Sequence, residues 1–477
     1  QLRVSSSLKG AVVDLPAPFG LAANQTRNSV FRMTLQGAER RYWFDYGDLA
    51  NLTFAAPDGK FEDGRGELFL GAGDPVLPPG KGLRIRGVLS ELDVAPWQAL
   101  VERYAGKDPG GSAKQMLSSA DFKVGKLNAF GTQLDQVSLQ MKRSAASWGL
   151  QINSKQATGA VTLPDAKNAP IVITMQTIRL PAPDPKAVTD DNAPDPLASV
   201  DPRKIPALDI IIRQLYQGSD LLGAWSLNVR PNNRGISLNN LNLGLKGLLL
   251  EGSGGWEGGA GASNSWYKGR IGGRNLADVL KNWGFAPSVT SNNFHVDVDG
   301  RWPGSPAWIG LKRFSGTLDA SLNKGQFVEV DGSAQVLRIF GLLNFNAIGR
   351  RLRLDFSDLF GKGLSYDRVK GVLNATNGVY STSRPVLMTG PSTNLELSGT
   401  LNMITDQVNA KLLVTLPVTN NLPLAALLVG GPAAGGAMFL LNKLIGDQVS
   451  RFASVQYSIQ GPWADPKITF DKPFEKN

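Results

Sequence analysis

Apolar residues alternate with polar ones along almost the whole chain. Leu83, Ile85, Gly87 and Leu89 share one face of a strand, as do Val137, Leu139 and Met141. Farther on come Trp225, Leu227 and Val229, then Phe294, Val296 and Val298, then Leu318, Ala320 and Leu322. The longest run is Val408, Ala410, Leu412, Val414 and Leu416. Their neighbours are mostly Ser, Asn, Asp, Lys, Arg and Gln. Alternation of this kind predicts antiparallel strands with one dry and one wet face. Several strands end in Gly followed by an aromatic residue or Pro, as at Gly255-Trp256, Gly300-Arg301-Trp302-Pro303 and Gly461-Pro462-Trp463. Reuse of that ending points to one supersecondary unit repeated along the chain.

Short helical patterns interrupt the strands. Pro96 to Tyr104 places Trp97, Leu100 and Val101 on one face, and Asn275 to Trp283 does the same with Leu276, Val279, Leu280 and Trp283. Ser333 to Leu343 is a third, holding Val336, Ile339, Phe340 and Leu343. All three read as caps over a sheet edge or mouth. Pro181 to Pro206 is rich in Pro and Asp and poor in apolar residues, so it is expected to be an exposed loop with few hydrogen bonds. Gly106 to Ser118 is a shorter loop. The expected organisation is an N-terminal β segment over 1–180, a linker over 181–206 and a C-terminal β segment over 207–477.

Leu412 to Asn442 carries no charged residue. Pro432 would break a spanning helix at its middle, and paired glycines weaken both halves. The expected form of about 422–445 is an apolar helical hairpin around Gly430-Gly431-Pro432. Leu424, Leu427 and Leu428 would make one patch, and Phe439, Leu440 and Leu444 the other. Each half is too short to cross a bilayer but suits its interface.

The net charge of +10 admits three readings: nucleic acid, an anionic membrane surface, or a solvated basic protein. Only Arg350, Arg351 and Arg353 cluster tightly, and no recognition helix or aromatic RNA-binding motif accompanies them. With no cysteine, a thiol nucleophile, a disulfide framework and a Cys-ligated metal are excluded. The one histidine, His295, alternates with Asp297 and Asp299 on the polar side of its strand. It lacks the partners a triad or a zinc site needs. Asp190/Asp191, Asp297/Asp299 and Asp355/Asp358 are sequence neighbours, not carboxylates facing each other across a cleft. The run Gly252 to Gly261 has Glu257 where a dinucleotide loop needs its third Gly, so a hairpin turn is expected there. No cofactor, metal or catalytic residue is expected.

What remains is apolar surface with few elements to cover it. A sheet must bury its dry face by closing into a barrel, folding into a sandwich, or curling into a trough. A trough leaves a groove that calls for an apolar ligand.

Six stretches then carry a family resemblance. Asn275-Leu-Ala-Asp-Val-Leu-Lys-Asn-Trp-Gly-Phe285 is followed by Val298-Asp-Gly-Arg-Trp-Pro-Gly-Ser-Pro306, by Gly332 to Leu343, by Arg350 to Gly371, and by Leu387-Met-Thr-Gly-Pro-Ser392. Ile459-Gln-Gly-Pro-Trp-Ala-Asp-Pro-Lys-Ile468 closes the series. In order and spacing these resemble the final region of the YhdP family, within the AsmA-like group of bacterial envelope proteins. The first half resembles it in style alone. The resemblance implies a mainly β protein whose long curled antiparallel sheet forms an open hydrophobic groove. It implies a non-enzymatic, periplasmic conduit moving phospholipid between inner and outer membranes, anchored in the inner membrane by a native N-terminus that this chain, beginning at Gln1, is expected to lack. Under that reading the apolar hairpin meets the inner leaflet of the outer membrane.

Alternation places Val296, Val298, Leu318, Leu322, Leu395, Leu397, Leu412, Val414, Val455 and Ile459 on the groove face. Arg350, Arg351 and Arg353 are candidates for headgroup contact, since the guanidinium fork matches phosphate. Pairing with Asp355 or Asp358 at a solvated strand edge is the other reading of those arginines. Two rivals to a conduit stand at this point: a structural β-solenoid scaffold with a filled core, and an envelope hydrolase.

Overall fold

The structure is a computed structural model of the chain, describing residues 1–104, 116–129, 132–182, 193–328, 363–391, 394–418, 439–445, 448–463 and 466–471. The fold is mainly β, as the alternation requires. It divides into two compact units, one formed by 1–182 with 207–220, the other by 183–206 with 221–477.

The first unit holds twelve strands. They are β1 (Leu2–Ser6), β2 (Ser29–Met33), β3 (Glu39–Tyr46), β4 (Ala50–Pro57), β5 (Arg65–Leu70), β6 (Gly82–Asp93), β7 (Leu117–Ala129), β8 (Thr132–Arg143), β9 (Ser147–Asn153), β10 (Ala157–Pro164), β11 (Ile171–Leu180) and β12 (Leu208–Gln217). Consecutive strands pair, most of them antiparallel. Three pairs depart from the expected pattern: β5 with β6, β6 with β7, and β11 with β12 run parallel. A parallel neighbour needs a crossover, which a tight hairpin cannot supply. The chain provides one each time: residues 71–81, the stretch from 94 to 116 containing helix α1 (Val94–Tyr104), and 181–207. Residues 106–115 and 183–192 of the two expected loops lie outside the described residues, and Leu117 and Ser118 of the shorter loop belong to β7.

Helix α1 covers one end of this sheet. Trp97 meets Phe19 edge-on at 5.9 Å between ring centres, and both pack on Leu89, Val124, Leu127 and Val137. Phe19 comes from the long β1–β2 connection. That connection is tied down where the Tyr46 hydroxyl donates to the Phe19 carbonyl at 3.0 Å. On the opposite face Glu67, fully buried, accepts from Arg84 Nε at 2.6 Å, from Arg86 at 2.9 Å and from the Val76 amide at 3.1 Å. The last of these bonds fixes the 71–81 crossover.

The second unit holds β13 (Asp220–Asn232), β14 (Gly235–Leu245), β15 (Leu248–Gly259), β16 (Ala262–Gly273), β17 (Asn293–Pro303), β18 (Ser315–Val328), β19 (Gly363–Thr376), β20 (Val379–Thr389), β21 (Asn394–Asn402), β22 (Gln407–Val418), β23 (Phe439–Ile445), β24 (Gln448–Pro462) and β25 (Lys467–Phe470). The pairings described among them are antiparallel, with β24 lying between β22 and β25 along part of its length and pairing β23 along another. Helix α2 (Leu276–Asn282) begins at Asn275, whose side chain accepts from the Ala277 amide. Val279 and Leu280 are buried as the helical spacing predicts, and Ala277 is buried with them, whereas Trp283, expected on the same face, is exposed. The Ser333–Leu343 helix lies outside the described residues.

The segment 193–206 departs from expectation. Asp195 accepts from the Ser305 amide at 2.7 Å and its hydroxyl at 2.6 Å, while Trp308 Nε1 donates to the Ala193 carbonyl at 2.8 Å. The Gly261 amide donates to the Ala198 carbonyl, and Pro202 is buried against β14 and β15. Low hydrophobicity concealed these anchors because, apart from the burial of Pro202, they are hydrogen bonds. Asp195→Ala is expected to open this segment to limited proteolysis and to cost about 2 kcal/mol, the scale of hydrogen bonds to a charged group that leave a buried partner unpaired. Unchanged digestion of 193–206 would show that the remaining bonds suffice.

One expectation is corrected at the C-terminal end. Phe439, Leu440 and Leu444 lie on strand β23, paired with β24, and not on a helix. The strand run Phe439-Leu-Leu-Asn-Lys-Leu-Ile445 finds a hydrogen-bonding edge in β24, which local helical spacing could not reveal. Leu424, Leu427 and Leu428 lie outside the described residues. No helix among the described residues is long and apolar enough to cross a membrane.

Candidate functional site

Register turns separate alternations into one surface. In the first unit a single row runs across all twelve strands: Val4, Phe31, Phe44, Leu52, Leu68, Ile85, Ala120, Met141, Leu150, Val161, Ile173 and Ile210. Every member is apolar. Ala120 is buried and Val4 exposed; the others are half-buried. A neighbouring row passes through Tyr46, Ala50, Leu70, Gly87, Phe122, Leu139, Ile152, Gly159, Met175 and Ile212. The opposite face carries Arg32 with Asp45, the Glu67 cluster, Gln140 and Gln151.

The second unit repeats the arrangement. Trp225, Leu243, Leu250, Ile271, Val296 and Ala320 form one row across β13 to β18. Phe294, Leu322, Val369, Met388, Leu395, Val414 and Val455 form another across β17 to β24. On the other face cross-strand charges pair: Lys268 with Asp299 at 2.9 Å, and Arg270 with Asp297 at 2.7 and 2.9 Å. The hydrogen bond from Arg270 holds the Asp297 carboxyl below its ordinary range.

The candidate groove residues therefore come together. Val298, Leu412, Val414 and Ile459 belong to one buried cluster, with Val296, Leu318, Leu395 and Leu397 packed against it. Leu322 sits in an adjoining cluster with Tyr366, Val369 and Met388. Val455 pairs with Val414 in register. Arg350, Arg351 and Arg353 lie outside the described residues.

Aromatic residues, which strand alternation did not single out, close parts of this face. Tyr380 stacks with Phe314, and its hydroxyl donates to the Leu311 carbonyl at 2.8 Å. The Phe314 ring lies across Gly300, where a Cβ would come within 2.2 Å of it. Tyr267 donates to the carbonyls of Glu251 and Arg270, and burial pushes its hydroxyl up to about 12. None of the three stands in the Gly-aromatic endings of the sequence; their partners lie on other strands or loops, which local spacing does not reveal.

Comparison with known proteins gives a consistent result. The chain is 23% identical over 401 residues to the intermembrane phospholipid transporter YhdP of Escherichia coli (strain K12), covering 83% of this chain and 31% of that protein. It thus spans about a third of that relative's length. No solved structure matches it. The YhdP family model matches residues 1–468, and the chain belongs to that family.

Proposed function

We propose that this chain is a segment of a periplasmic conduit that carries phospholipid between the inner and outer membranes. One observation carries the reading: the half-buried apolar row across twelve strands, with polar and ion-paired residues on the other face. Side chains that remain half in water invite an apolar guest. Each methylene of an acyl chain laid on them gains about 0.8 kcal/mol. Because the row has no polar break, an acyl chain can advance by one strand, about 4.8 Å, without leaving apolar contact. The relative's function as an intermembrane phospholipid transporter supports the same reading. An inner-membrane anchor elsewhere in the full-length protein completes the proposal.

A filled-core scaffold has one observation in its favour, the burial of Tyr380, Val414 and Ile459 in the second unit. Photo-crosslinkers separate the two. Placed at Val296, Leu318 and Leu397 in cells, they are expected to capture phospholipid, while Asp297 and Lys411 on the other face are not. Equal capture at both sets, or none at either, would leave the scaffold standing.

A further inference from the structure

The two ends of the strands in the first unit differ. One end is covered, where Phe19 and Trp97 lie over Leu89, Val124 and Val137. Toward the other end the apolar face changes character. Beyond the pair Met141 and Leu150, one step along the same face, the register brings Arg143 opposite Trp148, and Trp148 opposite Leu163. Among the strands β8, β9 and β10, Arg143 is the cation that alternation places on the apolar side. Its guanidinium lies 5.6 Å from the Trp148 ring centre and makes a fork of hydrogen bonds, 2.6 and 2.5 Å, to Asp165. Side-chain exposures of 34% for Arg143 and 45% for Asp165 leave both open to solvent.

We propose that Arg143, Trp148 and Asp165 form a headgroup station for a zwitterionic phospholipid, one with a phosphodiester and an ammonium. The proposal rests on reading the adjoining apolar row as lipid-binding. The guanidinium takes the phosphate as a fork. The indole, apolar in body and polar at one edge, sits at the boundary between headgroup and chain. Leu150 lies two residues deeper, about 6.8 Å along the strand, where acyl carbons begin. Asp165 gives up one guanidinium contact and receives the ammonium. An exposed ion pair is worth little in water, so exchanging partners costs little. The resulting ring alternates cation and anion, which a phosphatidylglycerol headgroup, lacking an ammonium, cannot complete.

The test uses the full chain with a photo-crosslinker at Leu163 or at Ile173, mixed with vesicles of equal phosphatidylethanolamine and phosphatidylglycerol. Adducts are identified by mass. Capture at Leu163 is expected to favour phosphatidylethanolamine. Arg143→Gln should reduce it about ten-fold, the loss of one charge-assisted phosphate contact, while capture at Ile173 persists. Asp165→Asn should keep capture but shift it toward phosphatidylglycerol. Should Arg143→Gln not fold, Arg143→Lys retains the charge without the fork and is expected to give intermediate capture. Unchanged capture at Leu163 in the Arg143 variants, with Ile173 still labelled, overturns the station but not the conduit. Loss of labelling at both positions in the unaltered chain overturns the conduit as well. Inorganic phosphate or glycerophosphoethanolamine that blocks labelling at millimolar concentration would mark a free-anion site and overturn the lipid assignment.

Discussion

Aspartate in place of both Leu150 and Val161 is expected to abolish phospholipid capture along the first unit while leaving a folded protein. The two residues are cross-strand partners on β9 and β10 within the apolar row, and each is half-buried. A carboxylate there keeps part of its hydration, so the folding cost stays near 1–2 kcal/mol, ordinary for a partly exposed substitution. An acyl chain passing the same point would have to strip water from two charges, at a cost of several kcal/mol. The checks are lipid recovered by native mass spectrometry and the thermal unfolding midpoint. A folded double variant that carries as much lipid as the parent would remove the row from the transport path. The same change at Val414, which is fully buried, is expected to unfold the second unit instead.

Glu67→Gln should produce the largest stability loss of any substitution on the polar face, about 3 kcal/mol in denaturant unfolding. Glu67 has no exposed surface, while Arg84 and Arg86 each keep roughly a third of theirs. Removing the carboxylate charge leaves two guanidinium groups facing each other with a neutral amide between them. Burial acts to raise the Glu67 carboxyl, but hydrogen bonds from Arg86, the Val76 amide and Arg84 outweigh it and hold it below its ordinary value of 4.5. A depressed folded-state value makes the unfolded chain the better proton binder. The stabilisation is therefore complete above about pH 4.5 and is lost as pH falls through the folded-state value. Glu67→Gln should lack that acid-dependent component. An acid-unfolding profile identical in the two proteins would assign the pH dependence to other carboxylates.

Much of this was legible in the sequence because alternation is a local property. Val296 and Val298 announce a strand face without reference to any other strand, and the structure puts both, with Leu318, Leu395, Leu397, Leu412, Val414 and Ile459, in or against one buried apolar cluster. Which strand each pairs with is not local. The parallel β5–β6–β7 arrangement depends on how two crossovers turn, and neither 71–81 nor 94–116 states its direction. The docking of 193–206 depends on Asp195 meeting Ser305, more than a hundred positions away. For Phe439 to Ile445, the helical spacing of Phe439, Leu440 and Leu444 competed with an available sheet edge, and the edge prevailed. Arg143 escaped notice because a charge at a strand end reads as solvated until the register shows which face it occupies.

The row of twelve residues also sets where this chain can change length. Side-chain direction reverses with each residue, so deleting one position inside β9 would swing Gln151 into the place of Leu150. The strand would still pair, and the fold would survive with a polar step in its apolar surface. Insertions in hairpin turns, such as Ser144 to Ala146 between β8 and β9, leave every partner in place. Across related sequences, gaps should therefore collect at turns and avoid strand interiors, even in strands where the residues themselves vary freely. What is inherited is the parity of each strand, and any apolar residue of the right parity serves.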